Sequence, residues 1–206
     1  MGKLLTAAVI VIILLVAGDV AARVYTEHQL EQRINRSVAG AEAKVKISGF
    51  PFVGKLAAQG RADRITAHLV HAGEGAFVLD RVDIAVIGAT VDRGQFLQHR
   101  RLVIDRIDTG TVVADMSQAD FDRLVGVPVT FDDGAAHATI AGVKVTARVS
   151  IVNNRLLVSA IGLPGSIPVP AIPVLPCSAD VKIVPGHLIA SCTFHQIPPA
   201  FQVISP

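Results

Sequence analysis

The sequence predicts an α+β domain in which a long helix near the amino terminus accompanies an antiparallel sheet. Apolar and polar residues alternate with a period of two through much of the chain, the pattern of half-buried strands. A long helical pattern occurs only near the start, and many strands are joined by hairpin-length connections. We count about nine strands, one long helix and one short helix. A β-sandwich or barrel with a peripheral helix is the alternative.

The first 18 residues are a hydrophobic segment that precedes the domain. After Lys3, residues 4–18 carry no charge. This run is shorter than the roughly 20 apolar residues of a spanning helix, and it has the length and the preceding positive charge of a signal sequence. Residues 1–18 are therefore expected to be a signal peptide or a signal anchor, and small residues at positions 17, 18, 21 and 22 allow cleavage. In both cases residues 19–206 form one exported domain on the extracytoplasmic face of the plasma membrane.

A helix is predicted over residues 19–38, where Val20, Val24, Ile34 and Val38 recur at helical spacing and Gly40 follows as a stop. Beyond this helix the hydrophobic period changes from 3.6 to two residues. Strands are predicted around residues 45–47, 65–69, 82–86, 102–114, 129–131, 136–140, 143–151, 156–161, 181–183 and 188–192.

The short helix is predicted to begin after Ser117 and to end near residue 125. Ser117 suits the N-cap, and Asp120 occupies the third helical position, the arrangement of a capping box. Met116 and Phe121 can pack across the start of this helix as a hydrophobic staple. The sequences Asp-Asp-Gly at 132–134 and Asn-Asn at 153–154 are typical of turns between strands.

The composition argues against several classes of function. The formal net charge is only +2, and a chain with no Trp and one Tyr lacks the aromatic platforms on which bases stack. The seven histidines show no metal-ligand spacing, and the sequence Gly-x-Ser-x-Gly is absent. We therefore expect no nucleic-acid partner, no metal and no cofactor, and whether the protein is an enzyme stays open.

The two cysteines lie near the last predicted hairpin. If this hairpin turns at Pro185 and Gly186, residue 179 pairs with Cys192, and Cys177 becomes a diagonal neighbour on the same face. A disulfide needs its two Cα atoms within about 7 Å, which this register permits. Export favours the oxidised form, so we expect a disulfide between Cys177 and Cys192, with two buried thiols as the alternative.

An apolar, proline-rich segment occupies residues 167–176. Prolines at 168, 170, 173 and 176 exclude a regular helix or a central strand. The segment is either a strap or edge strand that covers the protein's own sheet, or a loop that touches a membrane. The residues expected at such a membrane contact are Ile167, Val169, Ile172, Val174 and Leu175. A small basic loop at residues 93–101 is expected to be solvated or to face anionic headgroups.

Short motifs follow one another in a characteristic order: DVAARV at 19–24, GFPFV at 49–53, GRADRI at 60–65, SQADFDRL at 117–124 and IPPA at 197–200. In this order they resemble the LmeA-like phospholipid-binding family of actinobacterial cell-envelope proteins. The resemblance covers most of residues 19–200, while the proline-rich segment and the cysteines depart from it. It implies a strongly curved antiparallel sheet wrapped on the long N-terminal helix, as in tubular lipid-binding domains. It also implies envelope lipid binding, and at least one similar protein is a phospholipase.

The leading hypothesis is an exported, membrane-proximal phospholipid-binding protein that holds acyl chains in an apolar groove between helix and sheet. The residues expected to line the groove are Val24, Ile34, Phe50, Phe52, Phe121, Val145, Val149 and Ile151. One alternative is a phospholipase acting on envelope phospholipids, with His68, Asp63 or His137 as an acid–base group. The other is a structural or scaffolding envelope protein whose partner docks on the proline-rich segment.

Overall fold

The computed structural model describes residues 2–38, 40–74, 77–99, 103–132, 134–140, 142–152, 155–160, 166–171 and 177–197. Its helices are α1 (Gly2–Ser37), α2 (Phe52–Gln59), α3 (Arg93–His99) and α4 (Gln118–Val125). Its strands are β1 (Glu42–Ser48), β2 (Arg61–Glu74), β3 (Phe77–Val91), β4 (Ile104–Arg106), β5 (Thr109–Ser117), β6 (Val129–Asp132), β7 (Ala135–Ile140), β8 (Val143–Val152), β9 (Arg155–Ala160), β10 (Ser166–Ala171), β11 (Asp180–Val184) and β12 (His187–Phe194). The predicted α+β class, with a long N-terminal helix and antiparallel strand pairing, is confirmed.

The described strands form two sheets. The larger has the order β1-β2-β3-β5-β12-β11, with the short β4 beside β3, and the smaller has the order β10-β9-β8-β7-β6. The predicted strand spans leave out two of the described strands as separate elements: β4 is only three residues long and falls within the predicted span 102–114, and β10 contains prolines. The prolines of β10 are tolerated because this strand lies at an edge and pairs only with β9 in the described sheet.

The long helix runs along the open edge of the larger sheet. The edge strand β1 has backbone N–H groups that no further strand satisfies. Side chains on successive turns of α1 accept hydrogen bonds from alternate N–H groups of β1: Ile47 to Glu27 at 2.7 Å, Val45 to Glu31 at 2.9 Å and Ala43 to Asn35 at 2.8 Å. Leu30 and Ile34 pack against the buried core from the same helix. The helix thus closes an edge that would otherwise be open to pairing.

One buried cluster joins the two sheets. Alternate residues of the larger sheet, among them Val82 and Val112, are completely buried on one face. Phe121 of α4 is also fully buried and packs against Phe131 of β6, with ring centroids 5.0 Å apart. Leu156 of β9 extends the same cluster into the smaller sheet. We call the face of the larger sheet that contacts this cluster the inner face, and the opposite face the outer face.

The sequence predicted the short helix α4 but not the short helix α2. The predicted α4 is confirmed: Ser117 is its N-cap, and its Oγ accepts a hydrogen bond from the Asp120 backbone N–H at 3.3 Å. The return bond differs from a capping box, because the carboxylate of Asp120 accepts from the Ser117 hydroxyl at 2.6 Å. The sequence analysis missed α2, which begins directly after Pro51 and is stabilised by a residue far away in sequence.

The expected basic loop at residues 93–101 is wrong for its first seven residues, which form α3. Asp92 immediately precedes this helix, and its Oδ1 accepts hydrogen bonds from the backbone N–H groups of Gly94 at 2.8 Å and Gln95 at 3.1 Å. This cap compensates for a short sequence without an apolar period. Arg100 and Arg101 lie outside the described residues.

The last hairpin has the expected register. Val184 pairs with His187 and Asp180 with Ser191, so the register runs as the turn at Pro185 and Gly186 predicts. Cys177 and Cys192 are joined by a disulfide with their Cα atoms 5.9 Å apart. The predicted pairing is therefore present, and it fixes the segment before β11 to β12, the neighbour of β11 in the larger sheet.

Three further predictions concern a membrane-spanning helix, the proline-rich segment and two turns. The described part of the chain contains no helix with both the length and the hydropathy needed to cross a membrane. In the proline-rich segment, residues 166–171 form the edge strand β10, as one of the two interpretations allowed, whereas residues 172–176 lie outside the described residues. The predicted turns include Asp133 and residues 153–154, which are outside them as well.

Candidate functional site: a cavity on the outer face of the sheet

A cavity of about 420 Å³ lies on the outer face of the larger sheet. Ligand pockets in proteins have volumes of about 300–1,000 Å³, so this space suits a small ligand or part of a larger one. Its walls come from four neighbouring strands, β1, β2, β3 and β5. The lining residues are Lys44, Val45, Lys46, Thr66, Ala67, His68, Asp83, Ile84, Ala85, Thr111 and Val113.

Strand register places the outer-face side chains of the cavity in two rows. Because successive residues of a strand point to opposite faces, every second residue of each strand contributes to the same face. The first row crosses the sheet as Lys44, His68, Asp83 and Val113, each opposite the next. The second row, two residues further along, consists of Lys46, Thr66, Ala85 and Thr111.

The cavity is amphipathic. Ala85 and Val113 give its outer surface apolar character, and Val113 is 38% exposed. Lys44 and Lys46 border the opposite side, on the edge strand. An apolar surface next to two cations is the arrangement that matches an amphipathic, negatively charged molecule.

A histidine–aspartate pair lies in the middle of the first row. His68 on β2 faces Asp83 on β3 directly across the strand pair, and its Nδ1 contacts the Asp83 Oδ1. Both side chains are partly exposed. A second pair of the same kind, His187 Nδ1 to Asp115 Oδ1 at 2.9 Å, joins β12 to β5, but neither residue lines the cavity. A carboxylate that holds one ring nitrogen orients an imidazole, which leaves the other nitrogen for a ligand or a proton.

The structure brings none of the eight predicted groove residues to this cavity. Phe52, Phe121, Val149 and Ile151 belong to the buried cluster, and Ile34 packs against it. Val145 is half-buried on β8. Val24 and Phe50 are instead 53% and 61% exposed, on α1 and just before α2. Their proposed role in lipid contact stays a prediction.

The three candidate acid–base residues lie in different places. His68 lines the cavity. Asp63 lies on β2 but does not line the cavity, and it forms an ion pair with Lys55 of α2 at 2.5 Å. His137 lies on the smaller sheet and hydrogen-bonds Thr146 across β7 and β8 at 3.1 Å. Only His68 therefore combines a carboxylate partner with a cavity.

Sequence reasoning missed Lys44, Lys46, Asp83 and Val113 as site residues. Lys44 and Lys46 alternate with buried residues of β1, and this pattern by itself indicates only a half-buried strand. A usable signal was nevertheless present: residues 84–87 and 112–114 are continuous apolar runs within otherwise alternating strands. Such runs indicate strands with apolar residues on both faces, and hence a non-solvated patch on the outer one.

Further exposed apolar residues lie along α1 between residues 13 and 25 and next to α2. They are Ile13, Leu14, Leu15, Val16, Val20, Val24, Tyr25 and Phe50. Asp19 interrupts this set and is only 8% exposed, because its carboxylate turns toward α2 and accepts hydrogen bonds from the backbone N–H groups of Phe52 at 2.8 Å and Val53 at 2.6 Å. The apolar part of α1 is thereby held in a fixed direction relative to the domain. Exposed apolar surface of this size indicates contact with a partner or a membrane.

Two of the five predicted membrane-contact residues belong to the described part of the chain. Ile167 and Val169 lie on the edge strand β10. Ile172, Val174 and Leu175 lie outside the described residues. A role of this segment in membrane contact therefore stays a prediction.

Comparison with known proteins gives one match. Residues 17–185 match the sequence model of a family described as LmeA-like phospholipid-binding. The matched range includes every strand of the cavity and the whole of the first row. No curated protein and no solved structure matches the chain.

Proposed function

The chain belongs to the LmeA-like phospholipid-binding family, and on this premise we propose that it binds phospholipid in the outer-face cavity. The observation that carries the proposal is the amphipathic lining, with Val113 and Ala85 on one side and Lys44 and Lys46 on the other. The proposed site therefore differs from the groove between helix and sheet that the sequence suggested.

The apolar part of the cavity would hold acyl chain. Each buried methylene contributes about 0.8 kcal/mol, so a few carbons against Val113 and Ala85 stabilise a complex appreciably. A cavity of about 420 Å³ encloses only part of a phospholipid with two chains. The remainder would stay in contact with a membrane or with the rim of the site.

Export and a membrane-proximal position in the cell envelope complete the proposal. Two features support them: the charge-free run of residues 4–18 behind Lys3, and the exposed apolar residues of α1 beside Phe50. The polypeptide from residue 19 onward would then work at the extracytoplasmic membrane surface. There, a lipid can pass between bilayer and cavity without crossing water.

The first test compares two valine variants of the full chain. Val113 lines the cavity at 38% exposure, and Val143 on the smaller sheet is 63% exposed and lies elsewhere. Because both side chains are partly solvated, Val113→Asp and Val143→Asp should both fold. Lipid extracted from protein purified from its host is identified and quantified by mass spectrometry. We expect phospholipid in the natural chain and in Val143→Asp, and strong depletion in Val113→Asp.

Two outcomes contradict the proposal. If the purified natural protein carries no lipid and takes up none from labelled vesicles, the proposal that it binds phospholipid is wrong. If Val113→Asp and Val143→Asp contain equal amounts of lipid, the protein binds lipid but the outer-face cavity is not the binding site. Circular dichroism of both variants establishes that the comparison is between folded proteins.

A second candidate function is a phospholipase, and the His68–Asp83 pair in the cavity is the observation that favours it. His68, oriented by Asp83, would accept a proton from water as the water oxygen attacks an ester carbonyl, and would return it to the departing alcohol. The test measures fatty acid released from short-chain phospholipid by the full chain. Release that is lost in His68→Gln and kept in His137→Gln supports hydrolysis, and release unchanged in His68→Gln excludes this site.

A further inference from the structure

We infer that Lys44 and Lys46 form a phosphate subsite at the rim of the outer-face cavity, which selects ligands with net negative charge. The inference rests on the proposed function, since it concerns the polar end of a ligand whose apolar end contacts Val113. It goes beyond that function because phospholipid binding alone does not require discrimination among headgroups.

The two lysines converge by strand geometry. They are two residues apart on β1, so both side chains leave the same face, with their Cα atoms about 7 Å apart. Lys44 lies opposite His68, and Lys46 lies opposite Thr66. All four of these residues line the cavity. A phosphate placed over β1 and β2 is therefore within reach of two ammonium groups at once.

Both ammonium groups are available. In the described part of the chain neither Lys44 nor Lys46 has a carboxylate partner or a side-chain hydrogen bond, whereas Lys55 pairs with Asp63 and Arg61 pairs with Asp108. Two like charges on adjacent outward positions repel one another, and they gain most from a shared anion.

The local charge balance favours an anion. Among the described residues that line the cavity, Asp83 is the only acid, against two lysines. His68 contacts the Asp83 carboxylate and lies between Asp83 and Lys44 in the first row. Thr111 adds a hydroxyl group in the row of Lys46, and a hydroxyl can donate a hydrogen bond to a phosphate oxygen. The hydroxyl of Thr66 in the same row donates instead to the Lys46 backbone carbonyl at 3.3 Å.

The ligand class follows from this chemistry. Lysine binds phosphate as a compact point charge with three donors, and two lysines suit a group with at least two free oxygens. A phosphodiester or phosphomonoester without a compensating cation fits, as in phosphatidylglycerol or phosphatidic acid. A choline headgroup fits less well because its quaternary ammonium would lie beside two ammonium groups.

The test uses the full chain and four probes: short-chain phosphatidylglycerol and phosphatidylcholine as monomers, glycerol phosphate, and inorganic phosphate. Binding is measured by calorimetry. The variant Lys44→Gln/Lys46→Gln is compared with Lys144→Gln/Lys182→Gln, whose lysines lie on β8 and β11 away from the cavity. We expect the first variant to bind phosphatidylglycerol about 10-fold or more weakly, because both charge-assisted contacts with the phosphate are lost. Phosphatidylcholine binding and the control variant should change little.

A change of opposite sign provides an independent check. Asp83→Asn removes the one acid of the cavity lining, so it should tighten phosphatidylglycerol binding, and a purely structural role of Asp83 would not produce tightening. Inorganic phosphate or glycerol phosphate that binds with the same lysine dependence would identify phosphate itself as sufficient. Binding of the lipid alone would identify a headgroup that needs its acyl chain. Either pattern supports the subsite.

The inference fails independently of the proposed function. If Val113→Asp abolishes lipid binding while Lys44→Gln/Lys46→Gln binds phosphatidylglycerol as tightly as the control, the cavity holds lipid but has no phosphate subsite at these lysines. The subsite is equally overturned if phosphatidylcholine loses as much affinity as phosphatidylglycerol. If no probe binds the natural chain, the proposed function falls with it.

Discussion

Asp19 is the residue whose removal should most clearly reveal how the N-terminal helix is joined to the domain. Its carboxylate is buried and accepts hydrogen bonds from Phe52 N–H at 2.8 Å and Val53 N–H at 2.6 Å, across more than 30 residues of sequence. These N–H groups open α2, whose N-cap is Pro51 and has no side-chain hydrogen bond of its own. The substitution Asp19→Ala therefore leaves two backbone donors of α2 without their acceptor.

The magnitude can be worked from these contacts. A hydrogen bond to a charged group contributes about 1.5–3 kcal/mol, and the helix dipole adds about 0.3–1 kcal/mol for a negative charge at the start of a helix. Partial rehydration offsets some of this sum, and alanine is a better helix former than aspartate by about 0.5 kcal/mol. We expect Asp19→Ala to lower the free energy of unfolding by about 3 kcal/mol. This corresponds to a melting temperature lower by about 6–12 °C in a chain of this size.

The assay is urea and thermal unfolding followed by circular dichroism, with Asp92→Ala as the matched control. Asp92 also accepts two backbone N–H groups at a helix start, at 2.8 and 3.1 Å, but it precedes its own helix and is not buried. The loss of such a local cap costs about 1 kcal/mol. Asp19→Asn keeps one acceptor oxygen, so its cost in free energy of unfolding should lie between the costs of Asp92→Ala and Asp19→Ala. A cost for Asp19→Ala that does not exceed the cost for Asp92→Ala would refute the reasoning.

Three further results are expected. Cys192→Ala should lower the free energy of unfolding by about 3 kcal/mol when the natural chain is oxidised, and should have little effect when it is reduced, because the bridge to Cys177 closes a loop of 15 residues. Unchanged stability of the variant under oxidising conditions would contradict a bridge that constrains the chain. Glu31→Ala should lower the free energy of unfolding by about 1–2 kcal/mol, because the Val45 N–H at the sheet edge loses its acceptor, and Glu31→Gln should lower it less. Equal unfolding curves for these two variants would contradict the role of Glu31 at the strand edge. If the N-terminal segment is removed on export, the cut should precede Asp19, and amino-terminal sequencing of the exported chain that starts at residue 22 or 23 would contradict this.

Local sequence determined the elements whose stability depends on their own residues. The alternating strands β1, β2 and β8 were predictable because their period of two is set by the pleat, and one face of each must be buried. The helix α4 was predictable because its cap is local: Ser117 accepts a hydrogen bond from the Asp120 backbone N–H, three residues on. The register of the last hairpin followed from its turn, and the pairing of Cys177 with Cys192 followed from that register.

The helix α2 and the position of α1 could not be inferred in this way. The start of α2 is capped by Asp19, 33 residues earlier in the chain, so nothing near Phe52 signals a cap. Similarly, Glu27, Glu31 and Asn35 form an ordinary polar helix face in the sequence. Only the placement of α1 beside β1 turns them into acceptors for a strand edge.

The candidate site shows the same division. The sequence by itself determined an α+β protein with a charge-free hydrophobic run at residues 4–18, strands with one buried face, and a motif order similar to a phospholipid-binding family. It placed large apolar residues such as Phe121 and Ile151 at the lipid, because burial in a core and contact with a ligand demand the same residue types. Tertiary structure alone decided that Lys44, His68, Asp83 and Val113 form one row across four strands. A period of two shows which residues of a strand share a face, but the lateral order and register of separate strands depend on contacts between residues far apart in sequence.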